Sequence, residues 1–214
     1  ALYWMLRGAA PPGWAFGGAL AAVVGYGAMT YWGYSFWGGS VLALGGALAF
    51  GGALRLWRRR GNAVAAAAFA GVGCAIMAVT RPLDGFIFAL VPAGLVLITA
   101  WRDGWKRLGI FLLPALAGVA LMLGYNQATT GSSLIFAHRL YDETYLPRVV
   151  LFVWEKPAPD PPGLPAFYTR YENAFASNMS ADPLTAQEYW GNLKRFASAQ
   201  FTALFPLWTW PLLA

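Results

Sequence analysis

The chain has 214 residues, of which 58% are hydrophobic, 16% aromatic and only 11% charged, with a formal net charge of +6. Soluble domains carry about 25% charged residues, so this composition excludes an ordinary soluble globule, a disordered chain and a coiled coil. A single cysteine among the 214 residues excludes a disulfide scaffold, and 25 Gly with 11 Trp fit helices that cross or border a bilayer.

The placement of charge divides the chain. No Asp, Glu, Lys or Arg occurs from Gly8 to Leu54, a run of 47 residues, and further uncharged runs cover Gly61–Thr80, Gly85–Trp101, Leu108–Ala137 and Phe196–Ala214. A helix needs about 20 residues to cross the hydrocarbon core. The longest run therefore holds two spans and a turn, the others one each. Six spans follow, and they must be helical because lipid offers the backbone no partners. The predicted fold class is an all-α polytopic transmembrane bundle, with a loop region between the fifth and sixth spans.

In chain order, the first span is predicted over Pro11–Ala28, with Pro11 and Pro12 at its start, where a missing N–H costs least. Thr30–Gly39 (TYWGYSFWGG) forms an aromatic turn of the kind that sits at headgroup level. The second span covers Ser40–Trp57 and ends in Arg58-Arg59-Arg60, with Arg55 a turn earlier. Its small residues Gly45, Gly46, Ala47, Ala49, Gly51, Gly52 and Ala53 suit close helix packing. The third, Asn62–Thr80, is rich in alanine, is expected to be the least hydrophobic of the set, and holds Cys74 as a small core residue. The fourth is Gly85–Trp101, ending at Arg102, Lys106 and Arg107, and the fifth is Leu108–Tyr125.

Residues Asn126–Arg195 differ in composition and contain seven of the nine acids. Their middle, Lys156–Pro165, has five prolines in ten residues and is predicted to be extended. Phe167–Ala176 and Thr185–Lys194 read as short helices, and a sixth span starts at Phe196. The organisation expected is a five-span bundle over 1–125, an extracytoplasmic region over 126–195 and the start of a sixth span over 196–214. Arg7, Arg55–Arg60 and the Arg102/Lys106/Arg107 group fall on one side, which the positive-inside rule assigns to the cytoplasm. The net charge is thus a topology signal. No basic run exceeds three residues, so nucleic-acid binding is not expected. The chain starts at Ala1 and stops at Ala214 inside an apolar run, as expected of an internal piece of a longer membrane protein.

Three polar or aromatic groups are candidate sites. Thr80-Arg81-Pro82-Leu83-Asp84-Gly85 is a tight outer turn whose Arg81 suits a lipid phosphate, because a guanidinium binds phosphate through a fork of donors. Its structural alternative is electrostatic: Arg81 complements a helix C-terminus, Asp84 a helix N-terminus, and the two side chains pair. Phe136–Glu143 concentrates the sole histidine, His138, with Arg139, Tyr141, Asp142 and Glu143. His138 reads as a proton carrier or phosphate ligand, or as a surface residue. Tyr31, Trp32 and Trp37 of the aromatic turn read as a stacking surface for a sugar or isoprenoid chain, or as an interfacial belt. One His and one Cys build no closed zinc site. The sequence has neither a GxxxxGK[ST] phosphate loop nor a GxSxG nucleophile elbow.

Three segments together carry a resemblance: TYWGYSFWGGSVLALGGALAFGGALRLWRR, TRPLDGFIFALVP and GYNQATTGSSLIFAHRLYDETY. In this order, up to about Tyr145, they resemble bacterial multi-pass glycosyltransferases of the GT-C superfamily, similar to lipid-linked sugar transferases of the dolichyl-phosphate-mannose and aminoarabinose types. The resemblance implies a polyprenyl-phosphate-linked sugar as donor, no detectable cofactor beyond it, and transfer at the outer face of the bacterial inner membrane. Membrane lipids and the lipid-linked sugar would be the partners. It implies that Arg81, with His138 or Arg139, stabilises the departing lipid phosphate, while Asp84 orients Arg81 or the acceptor. The family's catalytic carboxylate lies in the first outer loop, which is expected to precede Ala1. A transporter or a non-catalytic assembly subunit remain the alternatives.

Overall fold

The computed structural model describes residues 1–28 and 39–145, together with Gly163, Trp190, Gly191 and Lys194. The aromatic turn residues 30–38, the proline-rich segment except Gly163, and the predicted sixth span lie outside the described residues, as do the two short helices predicted after it except for Trp190, Gly191 and Lys194. The described residues are predominantly helical, without a strand. They fall into two compact units, Ala1–Tyr125 and Asn126–Ala214.

The first unit begins with a short helix, α1 (Leu2–Arg7), and α2 (Pro12–Ala22), whose first helical position is Pro12. A π-helical turn over Val23–Ala28 continues α2. Four helices then are long and apolar enough to cross a membrane: α3 (Gly39–Trp57), α4 (Ala63–Thr80), α5 (Pro82–Asp103) and α6 (Lys106–Thr130). The chain is a membrane protein on this architecture. Contrary to expectation, α3 rather than α4 is the least hydropathic of the four. The cause is glycine: alanine and the β-branched residues of α4 are more apolar than the glycines and Arg55 of α3.

The ends of these helices follow local chemistry. Asn62 caps α4, its side-chain oxygen accepting from the Val64 and Ala65 backbone N–H groups at 2.9 and 3.1 Å. The reversal before it uses left-handed backbone at Arg59 (φ 51°) and Gly61 (φ 72°). Gly104, at φ 113°, ends α5 and donates to the Ala100 carbonyl at 2.9 Å. Pro92 and Pro114 lie inside α5 and α6, a pattern tolerated in membrane helices when neighbours re-satisfy the backbone.

The core between α3, α4, α5 and α6 is built largely from small side chains. Ala49, Ala53, Ala66, Ala67, Ala70 and Cys74 are buried, with Leu56, Met77, Val96 and Phe111 as the larger members. Glycine sets the spacing. A Cβ on Gly52 would meet the Ala66 carbonyl and Ala70, and one on Gly73 would meet Ala49 and the Gly45 carbonyl, so α3 and α4 touch backbone to backbone. Gly71 in the same way abuts the Phe111 carbonyl of α6 and Gly118 abuts Ala75. The small residues of α3 therefore serve packing, as small-xxx-small surfaces do in bilayers. The large side chains instead face outward: Phe86, Ile87, Phe88, Leu113 and Leu121 are all exposed. Buried Thr99 satisfies its hydroxyl locally, donating to the Val96 carbonyl at 2.8 Å.

One end of this unit gathers the bases. The Asp103 carboxylate, whose side chain is 8% exposed, accepts from Arg59 Nη2 at 2.6 Å and from Arg107 Nη1, tying the α3–α4 turn to the start of α6. Arg58 donates to the Ala9 carbonyl at 2.7 Å. Arg55 donates to the Gly51 carbonyl at 2.9 Å and to the Trp4 carbonyl, and its guanidinium lies 3.8 Å from the Trp4 ring centroid. Trp4 in turn meets Phe69 of α4 edge-on at 5.4 Å, which pins α1 across α3 and α4.

Close approach makes a specific expectation. Gly52→Val and Gly73→Val are each expected to lower the melting temperature of the purified chain in detergent, at a cost of about 1–3 kcal/mol or more. Gly94→Ala, with no atom within 4 Å of its added carbon, is expected to leave it nearly unchanged.

Candidate functional site

The Arg81 turn is shorter than a loop. α4 ends at Thr80 and α5 starts at Pro82, so a single residue joins two antiparallel helices. Arg81 is extended (φ −143°, ψ 90°), as the residue before a proline prefers. Its N–H donates to the Met77 carbonyl at 3.0 Å, and its own carbonyl accepts from Gly85 N–H at 2.6 Å. Arg81 thus closes one helix and opens the next.

Each residue of the motif has a local cause. Pro82 takes the first helical position, where its lost N–H was unpartnered anyway. Asp84 occupies the first turn of α5, where a negative charge meets the positive end of the helix. Gly85 lies against the Met77 carbonyl so closely that a Cβ there would collide with it. Arg81 Nη1 donates to Asp84 Oδ2 at 3.1 Å, in a pair whose side chains are 28% and 49% exposed. A pair this open contributes only about 0–1 kcal/mol. The pairing anticipated as the structural alternative is present, and it holds a cation at the ends of two membrane-length helices, away from the basic end.

The second unit holds the other polar candidates. The predicted fifth span, Leu108–Tyr125, extends at both ends into α6, and its last turn belongs to a polar knot. Asn126 is 2% exposed and its Nδ2 donates to the Ser133 carbonyl at 3.2 Å. Thr130 Oγ1 stands 2.9 Å from the Asn126 carbonyl, 2.8 Å from the Ser132 carbonyl and 3.1 Å from the Ile135 carbonyl, and accepts from Ser132 N–H at 3.2 Å. Its one proton serves one of those carbonyls at a time. Gly131, at φ 75°, makes the turn possible.

This knot leads into α7 (Ala137–Tyr145), which carries His138, Arg139 and Tyr141. His138 is exposed and its ring stacks on Phe136 at 5.5 Å, with 24° between planes. Arg139 is half-buried. Tyr141 packs against Tyr145 one turn on, with centroids 5.0 Å apart. Helical spacing puts Ala137, Tyr141 and Tyr145 along one stripe, His138 beside it and Arg139 on the opposite face. Asn126 and Thr130 are the residues that sequence reading passed over. The available signal was an Asn and two Thr directly after an apolar run, the composition of a capped, back-bonded helix end.

Tyr31, Trp32 and Trp37 lie outside the described residues. Among the described residues, no three His, Cys, Asp or Glu side chains gather as a metal would require.

The closeness of Gly85 to Met77 generates a test of the turn. Gly85→Ala is expected to force α4 and α5 apart and cost about 1–3 kcal/mol, read as a lower melting temperature in detergent. Leu83→Ala, at an exposed position of the same turn, is expected to cost much less. No protein-family model, curated protein or solved structure matches the chain.

Proposed function

We propose that the chain is part of an integral membrane glycosyltransferase that moves a sugar from a polyprenyl-phosphate carrier to an extracytoplasmic acceptor, in the bacterial inner membrane. The topology proposed with it has six spans: Pro12–Ala28, the four helices α3 to α6, and a last one from Phe196. The basic end faces the cytoplasm and residues 126–195 face outward.

The observation that carries this reading is the Arg81 guanidinium, fixed by the ends of two apolar helices and partly open beside Asp84. Ionisable groups within membrane segments are expensive and tend to mark substrate paths, and Arg81 stands where two such apolar helices meet. In the proposed reaction an acceptor hydroxyl attacks the anomeric carbon and passes its proton to a carboxylate base. The bond from that carbon to the phosphate oxygen breaks, and its electron pair stays on the phosphate. Arg81 stabilises that growing charge, Asp84 orients the guanidinium, and His138 or Arg139 is the alternative cation for the role. Tyr31, Trp32 and Trp37 supply the aromatic surface for the sugar or its isoprenoid chain.

A second reading, a non-catalytic membrane assembly subunit, is favoured by the same turn. Pro82, Asp84 and Gly85 each have a packing or electrostatic cause there.

Titration of the purified full chain with undecaprenyl monophosphate separates the two. Arg81→Ala is expected to weaken binding about tenfold or more, since a hydrogen bond to a charged group contributes about 1.5–3 kcal/mol. Arg81→Lys is expected to recover part of it and Asp84→Asn to retain most. Undiminished binding by Arg81→Ala would leave the turn with its structural role alone.

A further inference from the structure

The basic end of the Ala1–Tyr125 unit carries more positive charge than its own groups consume. Asp103 is the single acid there among the described residues, and Arg59 and Arg107 occupy it. Arg55 and Arg58 are spent on the Trp4, Gly51 and Ala9 carbonyls. Arg60, Arg102 and Lys106 remain exposed, and no described carboxylate pairs with them. Their backbones are neighbours: Arg60 follows Arg59, Arg102 precedes Asp103, and Lys106 precedes Arg107, so the Asp103 tie draws the three positions to the same end.

Tryptophan frames the same place. Arg102 Cζ lies 5.3 Å from the Trp57 ring centroid, which links the ends of α3 and α5. Trp101 and Trp105 meet edge-on at 5.8 Å, and Trp101 is 77% exposed. One turn deeper on α5, Leu97 and Ile98 are exposed apolar side chains. Arg102, Trp101 and the apolar Leu97 and Ile98 thus follow one another along the end of α5, which is the order of phosphate, glycerol and acyl chain in a phospholipid.

We propose that this end binds an anionic diacyl phospholipid, its phosphate on Arg60, Arg102 and Lys106 and its acyl chains along Leu97 and Ile98. Charge selects the headgroup. A zwitterionic lipid brings a cation as well, and Asp103, enclosed by two arginines, offers that cation no carboxylate. The exposed Trp101 and the apolar side chains below it select the lipid over free phosphate.

Native mass spectrometry of the full chain in mild detergent tests this with three probes: phosphatidylglycerol, phosphatidylcholine of the same acyl chains, and glycerol 3-phosphate. Phosphatidylglycerol is expected to bind at least about fivefold more tightly than phosphatidylcholine, with little binding of glycerol 3-phosphate. Arg60→Gln, Arg102→Gln and Lys106→Gln are each expected to weaken it by about fivefold, and Arg60→Lys with Arg102→Lys to preserve it. The unaltered chain provides a test free of folding effects, because its preference is expected to collapse at about 0.5 M salt, where exposed charges are screened. Equal binding of the two lipids, a preference that survives that salt, or glycerol 3-phosphate competing as well as the lipid would each overturn the proposal.

Discussion

Backbone contact between α3 and α4 is the constraint on which the rest of the bundle depends. Lipid tails are as apolar as leucine, so burying a large side chain between membrane helices brings little of the gain it brings in water. What remains is dispersion between closely fitted surfaces, and Gly52 against Ala66 and Ala70, with Gly73 against Ala49 and Gly45, brings those surfaces as near as the backbone allows. A core built largely of alanine is the consequence, with Phe86, Phe88, Leu113 and Leu121 among the large side chains turned to the outside. The same economy recurs where Gly71 meets Phe111 and Gly118 meets Ala75, so α6 joins the bundle by the mechanism that joins α3 to α4.

Among the described residues of the bundle, polarity is confined to helix ends or satisfied inside a single helix. Thr80 donates to the Ile76 carbonyl at 2.7 Å and Thr99 to that of Val96, each without leaving its own helix. The ends, by contrast, are tied between elements. Asp103 holds two arginines from different connections, and Arg55 and Arg58 reach carbonyls of the first ten residues. Close packing sets how near the helices lie, and these ties fix which ends meet.

Much of the bundle was legible because charge is excluded from hydrocarbon. Runs free of Asp, Glu, Lys and Arg located α3, α4 and α5 to within a few residues at each end. The limit of that signal shows at Asn126–Thr130, where polar residues suggested a loop although they continue α6 by bonding back to its carbonyls. Asp103 was illegible for another reason. Its partner Arg59 lies 44 residues earlier, and a lone acid among bases says nothing of which base it meets. At the Arg81 turn the motif was visible, as was the chance of pairing with Asp84. The contact of Gly85 with Met77 was not, because it depends on how close two helices joined by one residue must run.

That one-residue junction also works as a gauge of bilayer thickness. α4 has 18 residues and therefore measures about 27 Å, close to the roughly 30 Å of a hydrocarbon core. Asn62 and the arginines anchor its lower end, and the junction leaves no slack to let the Arg81 backbone rise or sink independently of the helices. The height of that residue relative to the headgroup plane is then set by the membrane, within the reach of its side chain. A thinner bilayer lifts it toward water, and a thicker one draws it toward the acyl chains or tilts the whole hairpin. Lipid composition, through thickness alone, becomes a control on what Arg81 can reach.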